Sequence, residues 1–211
     1  RQFWRWAKKR GYTAKNPAKR LRMPSRRATQ AVAPCRAAPE NDVRQVLDYL
    51  AGRLGRVIYR DLFGNLCAAP GWSYQERRAL RDLFVIVLAY ETGARIGEIQ
   101  SLASRAMDDA LAGRGPAYPL VVTGKTGQNT LWFTAATSEL WRLWQDVRPR
   151  GCEHLAVVGW YDHADPGPIR GRSTLSRMIA NRCREAGVTP FRAHALRHAK
   201  AKRAAGAVGL E

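Results

Sequence analysis

Three short stretches of this 211-residue sequence carry side chains that suit chemistry on phosphate. The first is Thr92-Gly93-Ala94-Arg95-Ile96-Gly97-Glu98-Ile99. It follows the apolar run Leu83 to Tyr90, which is hydrophobic all round and so reads as a buried helix. Gly93 is placed to end that helix in the left-handed conformation, and Ile96, Ile99 and Leu102 restart helical spacing. Arg95 therefore falls at a helix N-terminus, where free N–H groups and a guanidinium together favour an anion. The second stretch is Phe191-Arg192-Ala193-His194-Ala195-Leu196-Arg197-His198, whose His194, Arg197 and His198 share one helix face. The third is Val121-Val122-Thr123-Gly124-Lys125-Thr126-Gly127, two apolar runs about a glycine-flanked lysine that read as a β-hairpin. Taken together, two arginines, a lysine and a histidine make an electropositive site that needs no metal. They can grip both non-bridging oxygens of a phosphodiester, stabilise a five-coordinate transition state and move protons.

Each stretch read alone also has a plainer account: a solvated arginine at a helical corner, a histidine pair on an amphipathic helix, a solvated hairpin lysine. Zinc at His194 and His198 is disfavoured because Ala195 stands where a zincin has its glutamate and Arg197 lies between the ligands. Gly124-Lys125-Thr126 is not a nucleotide-binding loop, because position 119 is Pro and no helix pattern follows. The sequence therefore calls for no cofactor, no metal and no nucleotide.

The elements that must position these groups are mostly helical. Val43, Val46, Leu47, Leu50 and Leu54 recur at helical spacing before Gly55, and a long helix is predicted from about Gln75 to Tyr90. Residues 56–74 read as irregular. After the hairpin, Thr137 or Ser138 is a candidate cap for a helix with Leu140, Trp141, Trp144 and Val147 inward, ended by Pro149. A loop with His154 and His163 follows. Ser173 is a candidate cap for the next helix, which carries Leu175, Met178, Ile179 and Cys183 on one face and Arg172, Arg177, Arg182 and Arg184 as a DNA-facing surface.

Composition points to a polyanionic partner. Lys plus Arg number 36 against 17 Asp plus Glu, a net charge of +19. The excess is concentrated in residues 1–38, where Arg5, Lys8, Lys9, Arg10, Lys15, Lys19 and Arg20 precede any acidic residue. Residues 1–38 read as a basic arm that ends in an interdomain linker from Ala28 to Ala38, and the pattern turns globular from Pro39. No apolar run approaches a membrane span, and Cys35, Cys67, Cys152 and Cys183 lack metal-site or disulfide spacing, so a cytoplasmic protein with reduced thiols is expected.

In these motifs the chain resembles the tyrosine recombinases, the family of phage integrases and Xer-type recombinases. Thr92 to Ile99 with Leu102 looks like the family's first box, His194-Ala195-Leu196-Arg197-His198 like the second, and Lys125 stands where the family has its catalytic lysine. The resemblance implies a mostly α-helical α+β catalytic domain with a small antiparallel sheet at 39–211, preceded by the end of a helical core DNA-binding domain at 1–22 and a basic interdomain linker at 23–38. It implies strand cleavage and rejoining through a 3′-phosphotyrosyl link, on double-stranded DNA and within a homo-tetramer. Carried onto this sequence, Arg95 and Arg197 clamp the phosphate, Lys125 protonates the leaving oxygen, and His194 exchanges a proton with the nucleophile. Glu98 and His198 support them. The family's tyrosine nucleophile is expected beyond Arg197, yet no tyrosine follows Tyr161. The expectation is a fragment that holds the phosphate-binding half of the site without its nucleophile. The alternatives are a non-catalytic DNA-binding homologue and, more remotely, a zinc-dependent hydrolase.

Overall fold

A single long helix runs through the middle of the domain, and its sequence explains both ends. The computed structural model describes residues 9–10, 36–55, 58–60, 66–113, 116–124, 127–155, 157–158, 167–169 and 172–207. Cα packing divides the chain into Arg1–Cys35 and Arg36–Glu211, and almost all described residues lie in the second unit. The elements there are helix α1 (Glu40–Gly52), the strand pair β1 (Ile58–Arg60) and β2 (Leu66–Ala68), and the long helix α2 (Tyr74–Thr92). Next come α3 (Ile96–Ser101), α4 (Ser104–Leu111), the hairpin β3 (Ala117–Gly124) and β4 (Gly127–Thr134), and α5 (Ala135–Val147). Two short strands, β5 (Val157–Val158) and β6 (Gly167–Pro168), precede α6 (Arg172–Glu185) and α7 (Ala193–Ala207). This is a predominantly helical α+β fold whose described strands form antiparallel two-stranded pairs.

Helix α2 starts with a reciprocal cap: the Ser73 hydroxyl accepts from the Glu76 N–H, and the Glu76 carboxylate accepts from the Ser73 N–H at 2.8 Å. Such boxes satisfy two of the orphan donors of a helix start. Leu80, Phe84, Val85, Ile86 and Leu88 are then fully buried, because α1, α5, α7 and β4 pack around α2. The helix ends at Gly93 with φ +68°, the left-handed stop predicted from the sequence. In the hairpin, Leu120 and Val122 face the core while Val121 is half exposed, the alternation expected of a half-buried strand.

Several local expectations are corrected. The stretch read as irregular, 56–74, contains the β1–β2 pair, with Tyr59 opposite Cys67; strands of three residues are too short for a period-2 signal. Helix α4 follows α3 so closely that its own pattern was masked, although Met107 and Ala110 are buried on its inner face. Helix α5 begins earlier than Thr137 or Ser138. Its N-cap is Thr134, whose N–H and hydroxyl both donate to Glu91, as does the Thr137 hydroxyl. A carboxylate on α2 thus holds the start of α5 from a distance, through the N-cap residue and the Thr137 hydroxyl rather than through the free N–H groups of the first turn. Trp141 and Trp144 are core residues, their indole N–H groups donating to Asp108 and to the Leu155 carbonyl. Ser173 lies inside α6 rather than capping it, and His163 lies outside the described residues.

Arg182 is the clearest correction. It is only 4% exposed, not part of a DNA-facing surface. Its Nε donates to Asp82 at 2.8 Å and its NH1 pairs with Glu185, while Arg81 holds the other Asp82 oxygen at 2.6 Å. Burial alone would lower the Arg182 pKa, but Asp82 and Glu185 outweigh it and raise it. Asp82, fully buried, therefore locks α6 to α2. Replacing it with alanine (Asp82→Ala) takes from buried Arg81 and Arg182 the carboxylate they share, while Arg182 keeps its pair with Glu185, and should cost about 3–5 kcal/mol in urea unfolding. A loss below about 1 kcal/mol, the range of surface ion pairs, would show that the pair is not structural.

Candidate phosphate-binding site

The corner between α2 and α3 is built before any ligand arrives. The Thr92 hydroxyl donates to the Leu88 carbonyl at 2.6 Å and accepts from the Ala94 N–H at 3.1 Å, fixing the backbone on both sides of Gly93. Arg95 then occupies the N-cap of α3. Glu98, 4% exposed, accepts from the Arg95 backbone N–H at 2.7 Å through one oxygen and from the Arg95 guanidinium at 2.9 Å through the other. One carboxylate thus both caps the helix and aligns the arginine. The Arg95 side chain stays 46% exposed, and a guanidinium has five N–H donors, so this pairing leaves donors for an anion.

Helix α7 supplies the second cationic group. Leu196, Ala195 and Ala199 bury its inner face, and the Ala195 carbonyl accepts from the Ala38 N–H at 3.1 Å. Arg203, near its far end, stacks 3.7 Å over the Tyr90 ring and donates to the Tyr90 carbonyl at 2.7 Å. Seated this way, α7 brings Arg197 to the corner, where its NH1 donates to the Gly93 carbonyl at 2.7 Å. His194 and His198, one helical turn apart, are exposed and meet edge to face with ring centroids 4.5 Å apart.

Arg95, Glu98, His194 and Arg197 line one cavity of about 430 Å³, together with Thr123 and Gly124 from the end of β3. The hairpin is therefore brought to the same cavity as both arginines; Lys125 itself lies outside the described residues. Gly124 sits so close that a Cβ there would be 2.5 Å from Glu98 Oε1. Two further lining residues escaped sequence reasoning, Ser176 on α6 and Arg192 just before α7. Arg192 stands two residues before His194, inside a motif read only for its histidines and Arg197. Nothing in sequence marked Ser176, which arrives through the packing of α6.

Among the basic residues expected to meet DNA, Lys9 and Arg10 are exposed, as is Arg177 on α6. Arg172 belongs to α6 by its backbone. Arg5, Lys8, Lys15, Lys19 and Arg20 lie outside the described residues.

The comparison with solved structures bears on the fold of this mostly helical α+β domain. The fold is that of the tyrosine recombinases. XerA recombinase superposes with a TM-score of 0.54 at 14% identity, over 80% of this chain and 50% of that one. XerH site-specific recombinase bound to palindromic difH substrate, a post-cleavage complex, gives 0.55 at 14% identity, over 82% and 42%. The pre-cleavage complex of XerH with difH substrate gives 0.54 at 15% identity, over 81% and 43%. This chain thus spans half or less of the length of the structures it resembles. Compared by sequence, it matches no protein-family model and no curated protein.

Two glycines carry the geometry of the site. Gly93→Ala puts a Cβ at φ +68° and 3.2 Å from Lys200 Cγ, and should cost about 1 kcal/mol or more in thermal or urea unfolding. Gly124→Ala should instead displace the Glu98 carboxylate from Arg95, a loss of about 1–3 kcal/mol for a buried charged group. Wild-type stability in Gly124→Ala would mean that Glu98 is not fixed by the hairpin.

Proposed function

We propose that this chain is the catalytic-domain portion of a site-specific tyrosine recombinase or integrase. In this reading it binds double-stranded DNA and holds the scissile phosphate in the cavity at the α2–α3 corner. The observation that carries the reading is the convergence of Arg95, Arg197 and His194, from distant parts of the sequence, on one cavity within a recombinase fold.

The chemistry follows from the donors. Arg95, aligned by Glu98, and Arg197, anchored on the Gly93 carbonyl, each grip a non-bridging oxygen of the phosphodiester. As a nucleophile attacks, the charge on those oxygens grows, and two fixed guanidiniums stabilise it without reorganising. His194 accepts or returns the nucleophile's proton, with His198 against its ring as the supporting group. Lys125, which lies between Gly124 and Gly127 in sequence, protonates the departing 5′ oxygen. Attack by a tyrosine then gives a 3′-phosphotyrosyl link, whose bond energy drives rejoining to the partner strand without metal or nucleotide. Strand exchange occurs in a homo-tetramer, with the protein acting on DNA in the cytoplasm. The basic residues Arg5, Lys8, Lys9, Arg10, Lys15, Lys19 and Arg20 of the segment 1–38, with Arg172 and Arg177 of α6, track the DNA backbone.

The nucleophile is not among residues 1–211 in this proposal. Residues 1–211 incubated with nicked duplex DNA should accordingly give no denaturation-resistant adduct; an adduct on denaturing gels would refute that part. Binding of the same duplex should weaken by about 10³-fold or more between 50 and 200 mM salt if six or more phosphates are contacted. A flat salt response would remove the DNA-binding reading.

A further inference from the structure

The cavity contains more positive charge than one phosphodiester requires. Three guanidiniums line it, from Arg95, Arg192 and Arg197, against one carboxylate, Glu98. Glu98 is committed to Arg95, and Arg197 is anchored on a backbone carbonyl. Arg192 is exposed and makes no ion pair or side-chain hydrogen bond among the described residues. It is nevertheless firmly based. Its neighbours Phe191 and Ala193 are 8% and 7% exposed, and its own carbonyl accepts from the Ala195 N–H at 2.9 Å at the start of α7. A guanidinium on so rigid a base loses little backbone freedom on binding. Its place at the N-terminal end of α7 adds the partial positive charge of a helix start to the same rim.

Resting on the phosphate-site reading above, we propose that Arg192 binds a second phosphate of the same DNA strand, one nucleotide from the phosphate held by Arg95 and Arg197. One phosphodiester offers two non-bridging oxygens and a single negative charge, which two arginines already match. A third arginine on the same cavity finds its partner in the next charge along the backbone. The cavity, at about 430 Å³, is within the range of about 300–1,000 Å³ that holds small organic ligands and so has room beyond one phosphate group.

The test compares two probes by NMR titration of residues 1–211: the methyl phosphodiester of thymidine 3′-phosphate, with one phosphate, and thymidine 3′,5′-bisphosphate, with two. The wild type should bind the bisphosphate about tenfold more tightly, the scale of one charge-assisted hydrogen-bonded pair. Arg192→Ala should abolish that preference while leaving diester affinity within about twofold, and Arg192→Lys should keep part of it as a point charge. Persistence of the preference in Arg192→Ala, or equal weakening of both probes, would overturn the inference. Diester binding without any bisphosphate preference in the wild type would overturn it alone, whereas no diester binding at all would overturn the phosphate-site reading with it.

Discussion

Guanidiniums repel one another, so gathering them at one cavity needs compensation built into the backbone. The turn Gly93–Arg95 supplies it. Its Gly93 carbonyl accepts from Arg197, and the helix it opens carries Glu98, which holds Arg95 by both main chain and side chain. A left-handed glycine makes this arrangement available, since a side chain at φ +68° would be strained and would press on Lys200. The anchoring partners are one carboxylate and one carbonyl, so most of the positive charge remains for an incoming anion. The rest of the domain maintains this turn. Helix α2 provides a fixed end, α7 delivers Arg197, and the buried Asp82–Arg182 pair ties α6, the carrier of Ser176, to the same central helix.

The sequence showed well the features set by local residue types, and poorly the very short elements and the contacts made at long range. The stop at Gly93, the hairpin and the shared face of His194, Arg197 and His198 all follow from residue types that act locally, and each is present. The strands of 58–60 and 66–68 and the helix of 104–111 are too short or too closely joined to leave a periodic trace. Arg182 shows a different limit. On a helical wheel it is one more basic residue, and only tertiary packing reveals a buried acid, Asp82, a hundred positions away. Helix α5 shows the same, since its N-cap residue Thr134 is held by Glu91 on another helix.

Within the site, the sequence singled out residues by their motif spacing and passed over those that depend on three-dimensional approach. Arg95, Glu98, His194 and Arg197 line the cavity together. Gly124 was read as a turn residue, whereas its lack of a side chain is what lets the hairpin close on Glu98. That contact links the hairpin to the arginine corner and gives a physical reason for the two to act as one unit.

If Arg95 and Arg197 act on one phosphate, as proposed, a double-mutant cycle measures it directly. Duplex affinity would be determined at fixed salt for the wild type, Arg95→Ala, Arg197→Ala and the double variant. A shared phosphate predicts coupling of about 0.5–3 kcal/mol, with the double variant little worse than either single one. Losses that simply add, within about 0.3–0.5 kcal/mol, would mean that the two arginines act at independent places on the DNA and would contradict the account.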